Sequence, residues 1–583
     1  MVCFLHIEYE RVFLMAVKVT PVKCPECGAD LPAEENSGMM SCSDCGTQSM
    51  KANENAPTPC PIQFPKINGE IKTREGKFVL PPNLSVDCGG FAPWCVEVFC
   101  QRMGLSRKTG MPWLVLRRDE TLPQEGYRLN VTDQGIQIGA STEQGVIWAL
   151  TTVYLRTEPD RTIACCSLRD APCYPHRGQS LDCVRHFFPV EEVKRILEQL
   201  SLVKLNVLHF HLTDDQGWRI ESLKYPQLHQ VNAQYYTQDQ LRELVEYARI
   251  RGMEIIPEID LPGHTTAILH AFPDLGCNGE KPELATAGGI YTTILCAGKE
   301  AVYGFLEQLL EEICDIFPGK RIHIGGDEAP KRQWMDCPDC LAAMKEQGFT
   351  DFEQLQGYFT RRVVDILRKH RKIPVCWNET LKGDPEPEEM QIQYWTLAAP
   401  EKMDAYAKAG GNYIYSYMCE LYLDYPYSMT GVRKLYNMRP HIWNRRCEKD
   451  PGLLGIEAAV WTEHIADPRD LEEHLFPRVY IVAEKAWSGE HLPYRAFLAM
   501  LRQLCRLAER EGICTMKEAW WNPEGRLRRR EALDFFVKMN GGTLEAVPEN
   551  QAPAETNLRL MYDYVRRFFR ISDLPALAKR YFR

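Results

Sequence analysis

The 583-residue sequence has no run of about eighteen apolar residues, and without one it has no candidate membrane-spanning helix. It has no basic excess either. Its 69 Lys and Arg face 79 Asp and Glu, a net charge of −10, whereas an extended nucleic-acid surface needs the opposite balance. The run Arg526, Arg528, Arg529 and Arg530 therefore reads as a solvated helix face. An unbroken apolar leader is also missing, because "MVCFLHIEYERVFLMAVKV" carries Glu8, Glu10 and Arg11 where a secretory signal needs continuity. Together these absences lead to the expectation of a cytoplasmic chain with neither membrane nor nucleic acid as partner. The sequon Asn130-Val131-Thr132 would then never meet the glycosylation machinery.

With 45% hydrophobic and 25% charged residues the chain is neither disordered nor fibrous, and its length suggests roughly three to four domains. Cysteine is abundant, at 23 residues, and in a reducing compartment thiols or metal sites are expected before disulfides. Residues 24–46 read "CPECGADLPAEENSGMMSCSDCG". Cys24, Cys27, Cys42 and Cys45 thus form two Cys-x-x-Cys knuckles, each followed by glycine, a spacing that closes a tetrahedral structural zinc site. A further Cys337-x-x-Cys340 has no second pair near it in sequence and reads as free buried thiols.

A Pro-rich linker, "NAPTPCPIQFPK", separates this N-terminal extension (1–54) from a small α+β domain (60–169). In that domain "YRLNVTDQGIQIGAS" predicts two strands around Asp133-Gln134-Gly135, and Thr142–Leu155 predicts a helix. From about residue 170 to 490 short apolar strands alternate with amphipathic helices. The candidate strands are "QSLDCV", "NVLHFHLT", "MEIIPEID", "RIHIGG", "IPVCW", "QIQYW", "YIYSYM" and "EAAVW". One connecting helix opens on a Thr237/Gln240 capping box, buries a face of Leu241, Leu244, Val245 and Ala248, and stops at Gly252. Eight such units predict a (β/α)8 barrel. Residues 491–583, Arg- and Leu-rich at helical spacing, predict a helical extension that includes "RAFLAMLRQLCRLAERE" and "NLRLMYDYVRRFF".

A parallel barrel places its chemistry at the C-terminal ends of its strands. Asp214 and Asp215 follow the second candidate strand, Asp260 and His264 the third, and Asp327-Glu328 the fourth. Trp377-Asn378-Glu379, Trp395, Tyr422 with Asp424, and Trp461 with Glu463 follow the rest. Carboxylates and tryptophans converging on one mouth suit sugar recognition, since indole faces stack on pyranose C–H faces while acids grip hydroxyls. His209 and His211 share one side of the second strand within a packed interior, which favours a structural role over metal binding.

The stretches "HRGQSLDCVRHFFPVEEVKRIL", "KLNVLHFHLTDDQGWRIESLKYPQL", "EIIPEIDLPGH", "HIGGDE", "YLD", "AAVWTE" and "FPRVYIVAEKAWS" resemble glycoside hydrolase family 20, the β-N-acetylhexosaminidases, over residues 60–490. The resemblance implies an exo-acting hydrolase that removes terminal GlcNAc, and GalNAc as an alternative, from oligosaccharides or glycoconjugates, with no cofactor for catalysis. Retaining glycosidases generally pair an acid with a protein nucleophile; this family is an exception in which the substrate's own 2-acetamido oxygen attacks. By that likeness Glu328 is the general acid and base, Asp327 holds the acetamido N–H, and Tyr422 donates to its oxygen. Asp214 with His264 tunes the acid, Asp215 being the alternative partner. Trp377, Trp395 and Trp461 wall the acetamide, and Arg177, Asp424 and Glu463 bind outer hydroxyls. Disaccharide release, as by the family's lacto-N-biosidases, and catalytically silent sugar binding stay open. So does a zinc-ribbon protein with a passenger barrel, as does oligomeric state, a homo-oligomer included.

Overall fold

In the computed structural model the described residues are 62–384, 390–488, 492–539 and 568, together with a short N-terminal hairpin. The chain divides into two compact units, 1–59 and 60–583. In the first, Met39–Ser41 pairs antiparallel with Gln48–Met50. The four ribbon cysteines lie outside the described residues, as does most of the "NLRLMYDYVRRFF" segment. No helix among the described residues is long and apolar enough to cross a membrane.

The second unit opens with a six-stranded sheet in the order Ile71–Val79, Thr162–Asp170, Tyr127–Thr132, Gly135–Ala140, Leu114–Arg118, Val86–Asp87. Tyr127–Thr132 and Gly135–Ala140 are the expected hairpin, antiparallel about Asp133-Gln134. Alternation fixes the packed face: Tyr127, Leu129 and Val131 are wholly buried against helix Glu143–Arg156, which Thr142 caps by accepting from Gly145 N.

Eight parallel strands then close a barrel: β1 (His176–Asp182), β2 (Val207–His211), β3 (Glu254–Glu258), β4 (Arg321–His323), β5 (Ile373–Trp377), β6 (Gln391–Tyr394), β7 (Tyr413–Tyr415) and β8 (Leu453–Val460), with β1 pairing β8. All eight expected strands are present. The helix after β2, Gln238–Arg249, carries the Thr237/Gln240 capping box; Leu241, Leu244 and Ala248 are buried, Val245 partly so, and Gly252 ends the turn at φ 76°. Helix Tyr494–Arg510 follows the barrel, burying Phe497, Leu501, Leu504 and Ala508.

The first strand begins three residues earlier than its apolar run suggests, because polar side chains at its start find partners inside. His176 Nε2 meets Glu457 Oε2 at 2.8 Å. Arg177 has no exposed surface: its guanidinium donates to both carboxylate oxygens of Glu125 and, at 2.8 and 2.9 Å, to the carbonyls of Tyr174 and Lys204. The indoles of Trp148 and Trp487 flank it. The expectation that Arg177 binds sugar is thereby corrected. It stands at the N-terminal end of β1, opposite the strand ends that carry chemistry, and joins the small domain to the barrel. Beside it the ammonium of Lys204, fully buried and held down to about 8 by that burial, lies 3.4 Å from Asp170 and 4.2 Å from the Trp487 ring.

Removing one member of a buried, hydrogen-bonded ion pair strands the other. Arg177→Ala is therefore expected to cost about 3–5 kcal/mol of stability, read as a lower urea midpoint by tryptophan fluorescence. A variant as stable as the parent would show that the clamp carries no weight.

Candidate active site

The turn after β4 is set by glycine. Gly325 and Gly326 adopt φ of 61° and 95°, and a Cβ at either would collide with the side chain of Asp260 or Thr380. Pairing still runs one step past the strand, with Trp377 N donating to Gly325 O at 2.9 Å. Glu328 then takes φ of 46°, a left-handed conformation costly for a side chain with a Cβ. Glu379 holds it there by accepting from Glu328 N at 2.8 Å. In consequence the two neighbouring carboxyls diverge: the Asp327 side chain keeps 12% exposure while that of Glu328 keeps 31%.

Asp327 is poorly served by its surroundings. Its Oδ1 is buried with no hydrogen-bond partner, and its nearest cation, His264 Nε2, is 4.0 Å from Oδ2. Burial, only partly offset by His264, raises its carboxyl to about 7. His264, itself left-handed at φ 52°, aims Nε2 at Glu328 Oε2, 3.6 Å away. Its Nδ1 sits 3.1 Å from both Asp214 Oδ1 and Asp215 Oδ2, so both candidate aspartates serve it. Burial disfavours charge on this imidazole, but Asp214 and its neighbours outweigh burial and lift it well above its usual range.

Behind these groups lies a relay of buried polar side chains. Asp214 Oδ2 meets His211 Nε2 at 2.9 Å, and His211 Nδ1 meets Glu258. Glu258 also lies 3.1 Å from His209 Nε2 and 2.9 Å from His323 Nδ1, and it accepts the Trp377 indole N–H at 2.8 Å. His209 and His211 are thus engaged by carboxylates in the interior, as their shared strand face suggests.

Trp377 forms the floor of an aromatic box. Trp395 and Trp461 stand 6.2 and 6.1 Å from it, and Tyr422 lies parallel to Trp395 at 6.1 Å and 6.0 Å from Trp461. Asn378 orders one wall by accepting from Trp395 N at 3.0 Å. The indole N–H of Trp395 is another buried group without a partner.

The arginine at this mouth is Arg185, three residues past β1. Its Nη2 bonds Asp214 Oδ2 at 2.6 Å, Nη1 lies 3.4 Å from Asp182, Glu463 is 3.9 Å away, and the guanidinium covers the Trp461 ring at 5.2 Å. The rule that chemistry follows strand ends, applied to β1 as it was to the other strands, selects Arg185 rather than Arg177. Asp424 Oδ1 accepts from Trp461 N at 3.5 Å, and burial next to Glu463 pushes its carboxyl well above the usual range. Glu463 is raised by burial too, against the pull of Arg185. Apart from Arg177, every residue expected at the site gathers at this one end of the barrel.

Comparison with known proteins agrees with this arrangement. The description "Glycosyl hydrolase family 20, catalytic domain" matches residues 174–490, and "Glycosyl hydrolase family 20, domain 2" matches 69–171. A Porphyromonas gingivalis protein named beta-hexosaminidase is 31% identical over 64% of this chain, which spans only 52% of that relative's length. An Akkermansia muciniphila beta-hexosaminidase is 33% identical, the alignment taking in 63% of this chain and 80% of that one. The crystal structure of an exo beta-N-acetylglucosaminidase from Vibrio harveyi in complex with N-acetylglucosamine superposes with a TM-score of 0.70 at 29% identity, covering 79% of each chain. On these matches and the barrel that carries them, the chain belongs to glycosyl hydrolase family 20.

Proposed function

We propose that the chain is an exo-acting β-N-acetylhexosaminidase that releases terminal β-linked GlcNAc or GalNAc from oligosaccharides or glycoconjugates with retention of configuration. One observation carries this reading: Asp327, a buried carboxylate with an unpartnered oxygen, adjoins Glu328 and is near enough to Tyr422 of the aromatic box to act on it electrostatically. Such a group is poorly placed to attack a sugar and well placed to accept an amide N–H. The nucleophile is then the substrate's acetamido oxygen. As it closes on the anomeric carbon, Asp327 accepts the N–H and offsets the positive charge of the oxazolinium, while the Tyr422 hydroxyl donates to the oxygen.

Glu328, the more exposed acid, protonates the departing glycosidic oxygen and afterwards takes a proton from the water that opens the oxazolinium. A charged His264 3.6 Å away stabilises the carboxylate that Glu328 becomes after giving up its proton. Arg185, Asp424 and Glu463 ring the outer edge, where sugar hydroxyls lie. This assignment gives Arg185 the part first expected of Arg177. A reducing, cytoplasmic setting suits the seventeen described cysteines, none of which forms a disulfide.

The division of labour has testable magnitudes. A well-oriented internal nucleophile is worth about 7–11 kcal/mol. The 4-nitrophenyl β-glycoside of GlcNAc should therefore turn over at least about 10⁴-fold faster than the matching glucoside, which lacks the acetamide. Comparable rates would sink the substrate-assisted mechanism.

Acid catalysis contributes about 10²–10⁴-fold. Glu328→Gln should lose that much on an N-acetylglucosaminide with an alkyl leaving group and far less in forming the intermediate from a nitrophenyl glycoside, whose leaving group needs no proton. An equal loss in both, in pre-steady-state kinetics, would argue against Glu328 as the acid.

Asp327 should trade stability for function. Its folded value of about 7 exceeds the roughly 3.9 of an unfolded aspartate, so between those values the folded chain binds more protons and stability falls as pH rises. Asp327→Asn should accordingly gain about 2–4 kcal/mol at pH 8, and the gain should vanish below about pH 4. Activity should drop about 10²–10³-fold, since an amide cannot balance the developing charge. Stability unchanged by the substitution at both pH values would contradict the buried charge.

A further inference from the structure

Cys337 and Cys340, unaccompanied in sequence, are not unaccompanied in space. The long loop after β3 brings Cys277 and Cys296 to them, and all four Sγ atoms lie within 4.8 Å of one another. Cys296 Sγ is 3.6 Å from both Cys337 Sγ and Cys340 Sγ, and Cys277 Sγ is 3.9 Å from Cys340 Sγ. A disulfide would hold its sulfurs at about 2.05 Å. Four thiolates around a tetrahedral zinc, with Zn–S bonds of about 2.3 Å, stand about 3.8 Å apart, and the observed separations bracket that edge. Ordinary packing accounts for one such pair; it gives no reason for four sulfurs from two remote segments to meet at a point.

The backbone prepares these positions. Cys337 is the N-cap and Cys340 lies in the first turn of the ten-residue helix Pro338–Gln347, whose free N–H groups and dipole favour thiolates. Cys296 N donates to Leu275 O at 2.9 Å, drawing Cys296 beside Cys277. A Cβ at Gly298 would run into the Asp339–Cys340 backbone, so this glycine permits the close approach of the two segments. Cys296, Cys337 and Cys340 are buried, and Cys277 is half-buried. The other His and carboxylate clusters in the barrel differ, since His209, His211, Glu258, Asp214, Asp215 and His264 already face one another in the relay and Asp327 belongs to the active site.

We propose that Cys277, Cys296, Cys337 and Cys340 bind one zinc ion that staples the loop after β3 to the segment after Glu328. Four sulfurs leave no open coordination position, so the ion is structural. Its effect nevertheless reaches the active site. Leu295, next to Cys296, donates through N to Pro262 O at 3.1 Å and accepts the Trp334 indole N–H at 2.9 Å. Thr293 touches Thr266, which donates from its backbone N to Asp215 at 3.1 Å, and Asp215 holds His264. The staple thus fixes the loop that buttresses His264 against the segment that continues from Asp327 and Glu328. This inference does not rest on the proposed substrate.

The test uses the full chain with Cys24, Cys27, Cys42 and Cys45 all changed to serine, which removes the N-terminal candidate site, purified under reductant. Elemental analysis should find about one zinc per chain, and native mass spectrometry should show one zinc bound with loss of protons. Adding Cys337→Ser and Cys340→Ser should abolish it. As those variants can misfold, the parent cluster is also titrated with a mercurial while zinc release is followed with a metallochromic dye. Stoichiometric release, with faster amide hydrogen exchange in residues 276–298, supports the staple. Four free thiols without metal, iron in place of zinc, or a mass short by two hydrogens from a disulfide would overturn it.

Discussion

Glu258, at the end of β3 and inaccessible to solvent, is the point through which the rest of the site is arranged. It gathers His209, His211, His323 and the Trp377 indole onto two oxygens. Burial opposes its charge, yet the three imidazoles hold it well below the ordinary carboxylate range. His209 in turn rises to about 9, because Glu457 and Glu258 outweigh its burial. In a low-dielectric interior such a network is rigid when fully partnered and damaging when it is not. One branch fixes the floor of the aromatic box; the other passes through His211 and Asp214 to His264. The wall that shapes a ligand and the groups that handle its proton therefore share a single anchor.

The pair of acids after β4 shows how backbone strain becomes chemistry. Two adjacent residues in a strand would face opposite ways and be equally solvated in an open turn. Left-handed turns at Gly325 and Gly326, and the left-handed Glu328 itself, instead deliver one acid inward and the other toward the mouth. Glu379, raised by burial and the nearby charge of Glu328, supplies the hydrogen bond that keeps this conformation in place. The strained residue is held where its neighbours, not its own preference, decide its geometry.

Much of this was legible in the sequence because strands and helices declare themselves by period. Each barrel strand is a short apolar run, and each ends on polar or aromatic residues, so the architecture and most of the mouth could be placed. Arg177 was misplaced for a physical reason. A buried arginine whose charge is balanced by Glu125, 52 residues upstream, looks in one dimension like a surface residue before a strand. Arg185 was legible but overlooked, lying past a strand end like the others. The four-cysteine cluster could not be read at all, since Cys277, Cys296 and the Cys337-x-x-Cys340 pair meet only when two barrel loops cross. Spacing identifies a metal site only when its ligands are local in sequence.

The junction around Arg177 and Lys204 bears on where this protein can be cut. Both cations belong to the barrel, while the groups that neutralise or cap them, Glu125, Tyr127 and Asp170, come from the preceding sheet and the connection to it. A barrel severed near residue 170 would lose Glu125, Tyr127, Asp170 and the Trp148 ring together, leaving Arg177 and Lys204 exposed beside Trp487 without those partners. The two domains are thus separable on a diagram but electrically a single piece, and insertions or swaps at their boundary must carry the acids along with the fold.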